Sequence, residues 1–187
     1  VDPSAERNNT IHYASKNGHL EVVKMLLKDK RVDPSDDNNL SIRWASKYGY
    51  LEITKLLLKD SRVDPSACGN YAIRKASKNG HLEVVKMLLK DSRVDPSDDN
   101  NCAIRKASKK GHVEVVKLLL KDSRVDPSAK RNKAIRMASK KGRVEVVKEL
   151  LKDYRVDPGD YCNEAIQFSS GNGHVEVVNE LLLQYPR

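Results

Sequence analysis

Hydrophobic and polar positions recur along this chain with a constant period of 31 residues. In the copy over residues 32–62, Ile42 and Ala45 lie three residues apart, which is typical of the inward face of a short helix over about Ser41–Lys47. A fixed period in this range predicts stacked repeats instead of a single globular core. The tripeptide Val-Asp-Pro marks each period and begins at Val1, Val32, Val63, Val94, Val125 and Val156.

A second helix is predicted over about Leu51–Lys59 of the same copy. Its apolar residues form a stripe too wide for a surface helix, so the helix must be covered on more than one side. The segment at residues 60–66, Asp-Ser-Arg-Val-Asp-Pro-Ser, then ends the helix, because proline fixes φ and lacks a backbone donor. Neither helix is long enough to be stable alone, so each repeat must bury its apolar face against the next.

The pattern therefore predicts an all-α fold of helix-turn-helix repeats. Three columns are the same in every copy, and in the second copy they are Asn39, Gly49 and Glu52. Asparagine suits a turn with positive φ before the first helix, glycine allows a left-handed residue between the helices, and glutamate suits the first turn of the second helix. We expect one domain over residues 1–187, with repeats at 1–31, 32–62, 63–93, 94–124, 125–155 and 156–187.

Residues 10–27 carry the most informative motif, Thr-Ile-His-Tyr-Ala-Ser-Lys-Asn-Gly-His-Leu-Glu-Val-Val-Lys-Met-Leu-Leu. It resembles the ankyrin repeat pattern T-P-L-H-x-A-A-x-x-G-H-L-E-V-V-K-L-L-L, and the resemblance recurs in all six copies. It implies an ankyrin-type helix-turn-helix solenoid that binds proteins. The family period is about 33 residues, so we expect short finger loops between repeats and weak strand character. The variant is similar to ankyrin arrays of large DNA viruses and protists, which implies a protein that acts in the cytoplasm or nucleus of a cell.

The formal net charge is +9, from 35 basic and 26 acidic residues, which favours an acidic partner. The charge is uneven, at +6 in residues 125–155 and −4 in residues 156–187. Glu149 and Glu180 replace earlier apolar residues, which suggests a polar C-terminal cap. The first repeat shows no such change, so we expect a monomer or weak self-association through its N-terminal face.

The variable positions of the first helices predict the binding surface, because residues four apart share a helix face. The resemblance places this face on the concave side of the array, where the inner helices and the short fingers would contact an acidic protein surface. Trp44, Tyr48 and Tyr71 are the candidate aromatic anchors. The predicted partner-binding residues are Arg43, Trp44, Lys47, Tyr48, Tyr71, Arg74, Lys75, Lys78, Arg105, Lys106, Lys109, Lys110, Arg136, Lys140 and Lys141.

Three alternatives stay open at this point. The cations could simply solvate the helices, with arginines reaching acidic loop residues such as Asp37 and Asp99. The basic face of repeats three to five could bind nucleic acid or phosphate, although repeat five, the most basic, has Tyr154 as its one aromatic residue, outside its first helix. The chain, which starts without methionine on a repeat boundary, could also be a consensus-like or designed fragment with no ligand.

The residue pattern predicts no catalysis, no cofactor and no metal site. Four histidines share one column, one per repeat, which favours a helix-start histidine bonded to neighbouring backbone over converging metal ligands. No nucleophile setting and no phosphate-binding glycine pattern occurs in the sequence. The three cysteines form no CxxC pair, which favours a reducing compartment and no disulfide framework.

Overall fold

The computed structural model describes residues 2–184, without the side chains of residues 5–7. Twelve helices lie in this part of the chain, in six pairs, and the same part contains no strand. This confirms the predicted all-α helix-turn-helix repeat fold. In chain order the helices are α1 (Ala5–Asn17), α2 (Leu20–Leu26), α3 (Asp36–Tyr48), α4 (Leu51–Lys59), α5 (Ala67–Asn79), α6 (Leu82–Leu88), α7 (Asp98–Lys110), α8 (Val113–Leu120), α9 (Ala129–Lys140), α10 (Val144–Leu151), α11 (Asp160–Gly171) and α12 (Val175–Leu182).

The chain forms two compact units, Val1–Asp95 and Pro96–Arg187. In the first unit α1, α3 and α5 pack side by side, and α2, α4 and α6 form a second row behind them. The second unit repeats this arrangement, with α7, α9 and α11 in one row and α8, α10 and α12 in the other. Within each unit the helix pairs therefore stack as a solenoid requires, with each repeat covering its neighbour.

Burial of a few repeated columns builds the core of each unit. In the first unit Ile42, Ala45 and Leu57 are fully buried, and Ile104, Ala107 and Leu119 are their buried counterparts in the second. Small residues line the contact between neighbouring first helices, where side chains with little volume let the backbones approach closely. The second helices contribute their wide apolar stripes to the same core, as their composition predicts.

From α3 onward each first helix begins with a left-handed turn, which in α3 extends the helix beyond its predicted start. In α3 the residues Asp37, Asn38 and Asn39 have φ of 48°, 54° and 61°, and the regular helix follows. All six asparagines of the invariant column have positive φ, which confirms the prediction made for them. The second helix α4 has the predicted bounds, Leu51–Lys59.

The finger loops are short and are held by a repeated Asp-x-Arg pair, which we call the Asp–Arg clip. In the second repeat Arg62 Nε and Nη2 donate to the Asp60 carboxylate at 2.9 and 2.6 Å. The Arg62 Nη1 group donates to the carbonyl oxygen of Val32 at 2.8 Å. The side-chain hydrogen bond from Arg62 lowers the pKa of Asp60. This clip thus fixes its own loop and, through the third nitrogen, the loop of the preceding repeat, and Arg93 and Arg155 make the same contact with the carbonyl oxygens of Val63 and Val125.

Candidate partner-binding surface

The predicted partner-binding residues lie on the first helices, at positions set by the helical period. We call the surface that these residues form on the first helices the first-helix face. The helix α3 carries Arg43, Trp44, Lys47 and Tyr48, and α5 carries Tyr71, Arg74, Lys75 and Lys78. In the second unit α7 carries Arg105, Lys106, Lys109 and Lys110, and α9 carries Arg136 and Lys140, followed by its C-cap residue Lys141.

Trp44 is part of a cluster that spans two repeats of the first unit. Its ring centroid lies 6.1 Å from that of Tyr13. The Lys16 Nζ atom lies 4.8 Å from the Trp44 ring and 5.8 Å from the Tyr13 ring, within the range of cation–π attraction. Tyr13 is 53% exposed, so it extends the candidate surface beyond the predicted residues. Its place in the same repeat column as Trp44 is the pattern that identifies it.

The other two predicted anchors also lie beside cations. The Tyr71 ring lies between the Arg43 guanidinium and the Lys75 ammonium, each 4.9 Å from its centroid. The Lys47 Nζ atom lies 4.8 Å from the ring of Tyr48, which is exposed. An alternative packing of Trp44 on Tyr48 is not observed, since the neighbouring ring of Tyr48 is Tyr50 at 6.3 Å. The first-helix face of this unit is therefore a row of aromatic rings flanked by positive charge.

The arginine column has a structural task that composition did not predict. The left-handed turn that opens each first helix directs carbonyl groups away from the helix, and such groups need donors. Arg105 supplies them through Nε to the Asn100 oxygen at 2.8 Å and through Nη2 to the Asp99 oxygen at 2.7 Å. Arg43 donates in the same way, to the carbonyl oxygen of Asp37 at 3.1 Å. The guanidinium groups thus lie along their own repeats, and their role in partner binding stays a prediction.

Arg136 is the most buried member of this column, at 8% exposed. Its Nη1 group donates to the carbonyl oxygen of Arg131 at 2.8 Å. Its Nε atom forms an ion pair with Glu164 of the next repeat at 2.5 Å, and its guanidinium lies 4.4 Å from the Tyr161 ring centroid. Arg136 therefore joins two repeats of the second unit, a role that reduces its availability to a partner.

Lysines dominate the first-helix face of the second unit. Lys106, Lys109, Lys110 and Lys141 are exposed, and no ion pair joins them to a carboxylate within residues 2–184. Lys140 is half-buried, with its Nζ atom 4.3 Å from the Phe168 ring centroid. These side chains leave a strong positive charge without local compensation.

The second helices carry lysines of a different kind. In five repeats a lysine three residues after the invariant glutamate pairs with it, as in Lys117–Glu114 at 2.8 Å and Lys148–Glu145 at 3.1 Å. The glutamate also lies in the first turn of its helix, where the helix dipole favours it. This column of lysines is therefore paired with carboxylates, unlike the exposed lysines of α7.

Two members of the histidine column contact neighbouring backbone, as predicted. His81 Nε2 lies 3.0 Å from the carbonyl oxygen of Lys47, and His174 Nε2 lies 3.2 Å from that of Lys140. The His81 ring rests on Gly49, where an added Cβ atom would lie 2.5 Å from it. Each ring thereby ties a repeat to the one before it. Within residues 2–184 no group of histidine, cysteine or acidic side chains converges as metal ligands would.

The predicted C-terminal cap is wrong in its placement of the glutamates. Glu180 lies 3.7 Å from Lys148 of α10, so it faces the preceding repeat. Glu149 forms an ion pair with Lys152 of its own repeat at 2.7 Å. The last described repeat exposes apolar residues, including Val175 and Leu182. The repeated position of a residue in the sequence does not tell whether its side chain faces the preceding or the following repeat. Glu180 faces the preceding repeat.

Comparison with known proteins agrees with the helical repeats. The family model for ankyrin repeats (3 copies) matches residues 1–67 and 42–131. No curated protein matches the chain. Within residues 2–184, no helix has the length and apolar character that crossing a membrane requires.

Proposed function

We propose a protein-binding function from the following premise: this chain belongs to the ankyrin repeat family, whose repeats are generally protein–protein interaction modules and not enzymes. The finer proposal is that the first-helix face binds a partner with an acidic surface. We retain a single repeat domain over residues 1–187 as part of this proposal, and we place its site of action inside a cell.

One observation supports the acidic partner above all others. In the second helices the lysine three residues after the invariant glutamate forms an ion pair with it, as Lys117 does, whereas Lys106, Lys109 and Lys110 of α7 form no ion pair in the described chain. Uncompensated charge on one face steers a partner of opposite charge and favours its correct orientation. An acidic protein surface fits this face better than a neutral or basic one.

The aromatic rings of the first unit support a protein partner over a simple polyanion. Tyr13 and Tyr48 are 53% and 39% exposed, and each has a lysine beside its ring. Tyrosine and tryptophan contribute disproportionately to the energy of protein interfaces, especially where charged groups surround them. We expect the partner to present acidic side chains to the lysines of the second unit and at least one apolar side chain to the aromatic row of the first unit.

The experiment compares two charge reversals of equal size. The first variant changes Lys106, Lys109 and Lys110 to Glu on the first-helix face, and the matched control changes Lys59, Lys90 and Lys121 to Glu, which are exposed residues at or beyond the ends of second helices. The probe is a labelled peptide rich in Asp and Glu with interspersed Leu and Trp, measured by fluorescence anisotropy. We expect the first variant to lose at least about tenfold in affinity and the control less than about threefold.

The lysine set is preferred to the arginine column for a structural reason. Reversing Arg105 or Arg136 would remove donors from the left-handed turn and so disturb the fold together with the charge. Equal losses in both lysine variants would refute a localised site. Binding of single-stranded DNA with a steep salt dependence, and no binding of the peptide, would instead support the nucleic-acid alternative.

A further inference from the structure

The arginines of the first-helix face are bonded within the fold. Arg105 donates through Nε and Nη2 to the carbonyl oxygens of Asn100 and Asp99 at 2.8 and 2.7 Å, and its side chain is 11% exposed. Arg74 donates in the same way, to the carbonyl oxygen of Cys68 at 3.0 Å. A guanidinium is the side chain whose planar fork matches a phosphate or a carboxylate by two parallel hydrogen bonds. The donors of this column that could recognise such a group by its geometry are therefore used inside the protein.

The charge that this face offers to a partner comes from lysines. Four lysines of the second unit are exposed and form no ion pair within the described part of the chain, and we call them the lysine cluster: Lys106, Lys109, Lys110 and Lys141. An ammonium is a compact charge on a flexible stem, without a planar fork. The cluster should therefore respond to the amount of negative charge nearby and much less to the chemical group that carries it.

The members of the lysine cluster lie close enough to act together. Lys106 and Lys110 are one turn apart on α7, where residues four apart have Cβ atoms about 5–6 Å from each other. Lys141 holds the position of Lys110 one repeat later. It ends α9, which packs beside α7, and packed helices are roughly 8–10 Å apart. Like charges at such spacings repel each other, and several negative groups arriving together relieve that repulsion better than one group does.

From this cluster we propose that the first-helix face recognises an extended tract of closely spaced Asp and Glu residues by its density of charge, and not a phosphorylated residue by its geometry. This inference rests on the proposed function and narrows its class of partner. Blocks of like charge stay unfolded, so such a tract can follow the lysines along the face.

The spacing of the acidic residues in the tract decides how well it fits. An extended chain advances about 3.3–3.6 Å per residue, so carboxylates at every second residue lie about 7 Å apart, close to the spacing of the lysines. Carboxylates at every fourth residue lie about 13–14 Å apart, which exceeds the Debye length of about 8 Å at physiological ionic strength. The sparse arrangement brings few carboxylates to the cluster at once, and the dense one brings several.

Three peptides of equal length and equal net charge test the proposal by fluorescence anisotropy at pH 8. The dense peptide has six Glu at every second residue, and the spaced peptide has six Glu at every fourth residue. The phosphopeptide has three phosphoserines, each of charge close to −2, within the same stretch as the dense peptide. All three carry the same Leu residues, with Gly and Ser elsewhere. We expect the dense peptide to bind at least about tenfold tighter than the spaced one, and the phosphopeptide to bind within about threefold of the dense one.

A variant with Lys106→Arg, Lys109→Arg and Lys110→Arg tests the role of charge without geometry. It keeps the charge and adds planar forks at exposed positions, where the fold should persist by circular dichroism. The dense peptide should bind this variant within about threefold of the wild type. A change of more than about tenfold in either direction would show that the shape of the cation is recognised, and would overturn the proposal.

The remaining outcomes separate this proposal from the proposed function. Equal affinities for the dense and spaced peptides, or a phosphopeptide bound more than about tenfold tighter than the dense one, overturn the recognition of charge density. If the charge reversal at the same three lysines still abolishes binding in that case, the acidic-partner function stands. Wild-type protein that binds none of the three peptides overturns both.

Discussion

Replacing Asn132 should reveal how the invariant asparagine stabilises the array. Asn132 is 4% exposed and has φ of 52°. Its Oδ1 atom accepts the backbone N–H of Asp157 in the next repeat at 2.9 Å, and its Nδ2 group donates to the Asp160 carboxylate at 3.0 Å. One side chain therefore holds a left-handed turn in its own repeat and the loop of the next. Two substitutions separate these two roles. Both remove the side-chain hydrogen bonds, but glycine adopts positive φ without strain and alanine does not.

The magnitudes follow from these contacts. In Asn132→Gly the partly buried Asp157 N–H loses its acceptor, which should cost about 1–2 kcal/mol of unfolding free energy. In Asn132→Ala the same loss is joined by the steric cost of a Cβ atom at positive φ, so the variant should be less stable than the glycine variant by about 0.5–1 kcal/mol. Asn17→Ala, at an exposed asparagine, is the control and should stay within about 0.5 kcal/mol of the wild type.

Urea unfolding followed by circular dichroism measures these free energies. Hydrogen exchange of the Asp157 amide adds a local measurement. The exchange rate of this amide should rise in both Asn132 variants and stay at the wild-type value in Asn17→Ala. Alanine and glycine variants of equal stability would refute the role assigned to positive φ. An Asp157 amide that stays protected in both would refute the role assigned to the side-chain hydrogen bond.

Three further predictions concern the contacts between repeats. In urea unfolding, Gly49→Ala should lower the unfolding free energy by about 1 kcal/mol or more beyond the effect of Gly173→Ala. Both glycines have positive φ, but of the two only Gly49 lies under a ring, that of His81. Equal losses in the two variants would contradict this prediction. Arg136→Met should destabilise by about 2 kcal/mol, since it leaves Glu164 partly buried without its cation, and adding Glu164→Gln should restore part of the loss. Arginine hydrogen bonds lower the pKa of the clip aspartates below 3.8. The stability that these aspartates contribute is therefore fully present above pH 3.8 and is lost as the pH falls through the lowered pKa values. Thermal unfolding that is insensitive to pH below 4 would contradict this.

The elements of the fold were predictable because each follows from local chemistry. The observed bounds of α4 were predicted from the repeat period, the Pro turns and the apolar stripe. The asparagine column predicted positive φ at positions such as Asn39. In repeats two to six, the two residues before the asparagine were not predictable in the same way. They are also left-handed, and include Lys130 and Tyr161, which have no intrinsic preference for that conformation. Only the surrounding contacts hold them there.

The helical positions of the candidate residues follow from the sequence, and their role in partner binding stays a prediction. The lysines and aromatic rings lie on the first-helix face, where a period of about four residues places them. The arginines lie on the same helices but donate to carbonyl oxygens of the left-handed turn in their own repeat. Residue spacing alone does not predict these acceptors, because they arise from the backbone conformation of three successive left-handed residues. The direction of Glu180 was missed for a related reason: the side of a repeat that a residue faces depends on packing between repeats and not on the spacing of the sequence.

Trp44 provides the most direct test of the account, since it is the single tryptophan of the chain and lies beside Tyr13 and Lys16 on the proposed binding face. Its fluorescence should be measured while the acidic peptide described above, made without its own tryptophan, is added, with a peptide of reversed charge as the control. We predict a saturable change in Trp44 emission with the acidic peptide and none with its basic counterpart. Binding detected by anisotropy while the Trp44 emission stays constant, or an equal response to the basic peptide, would contradict the proposed face.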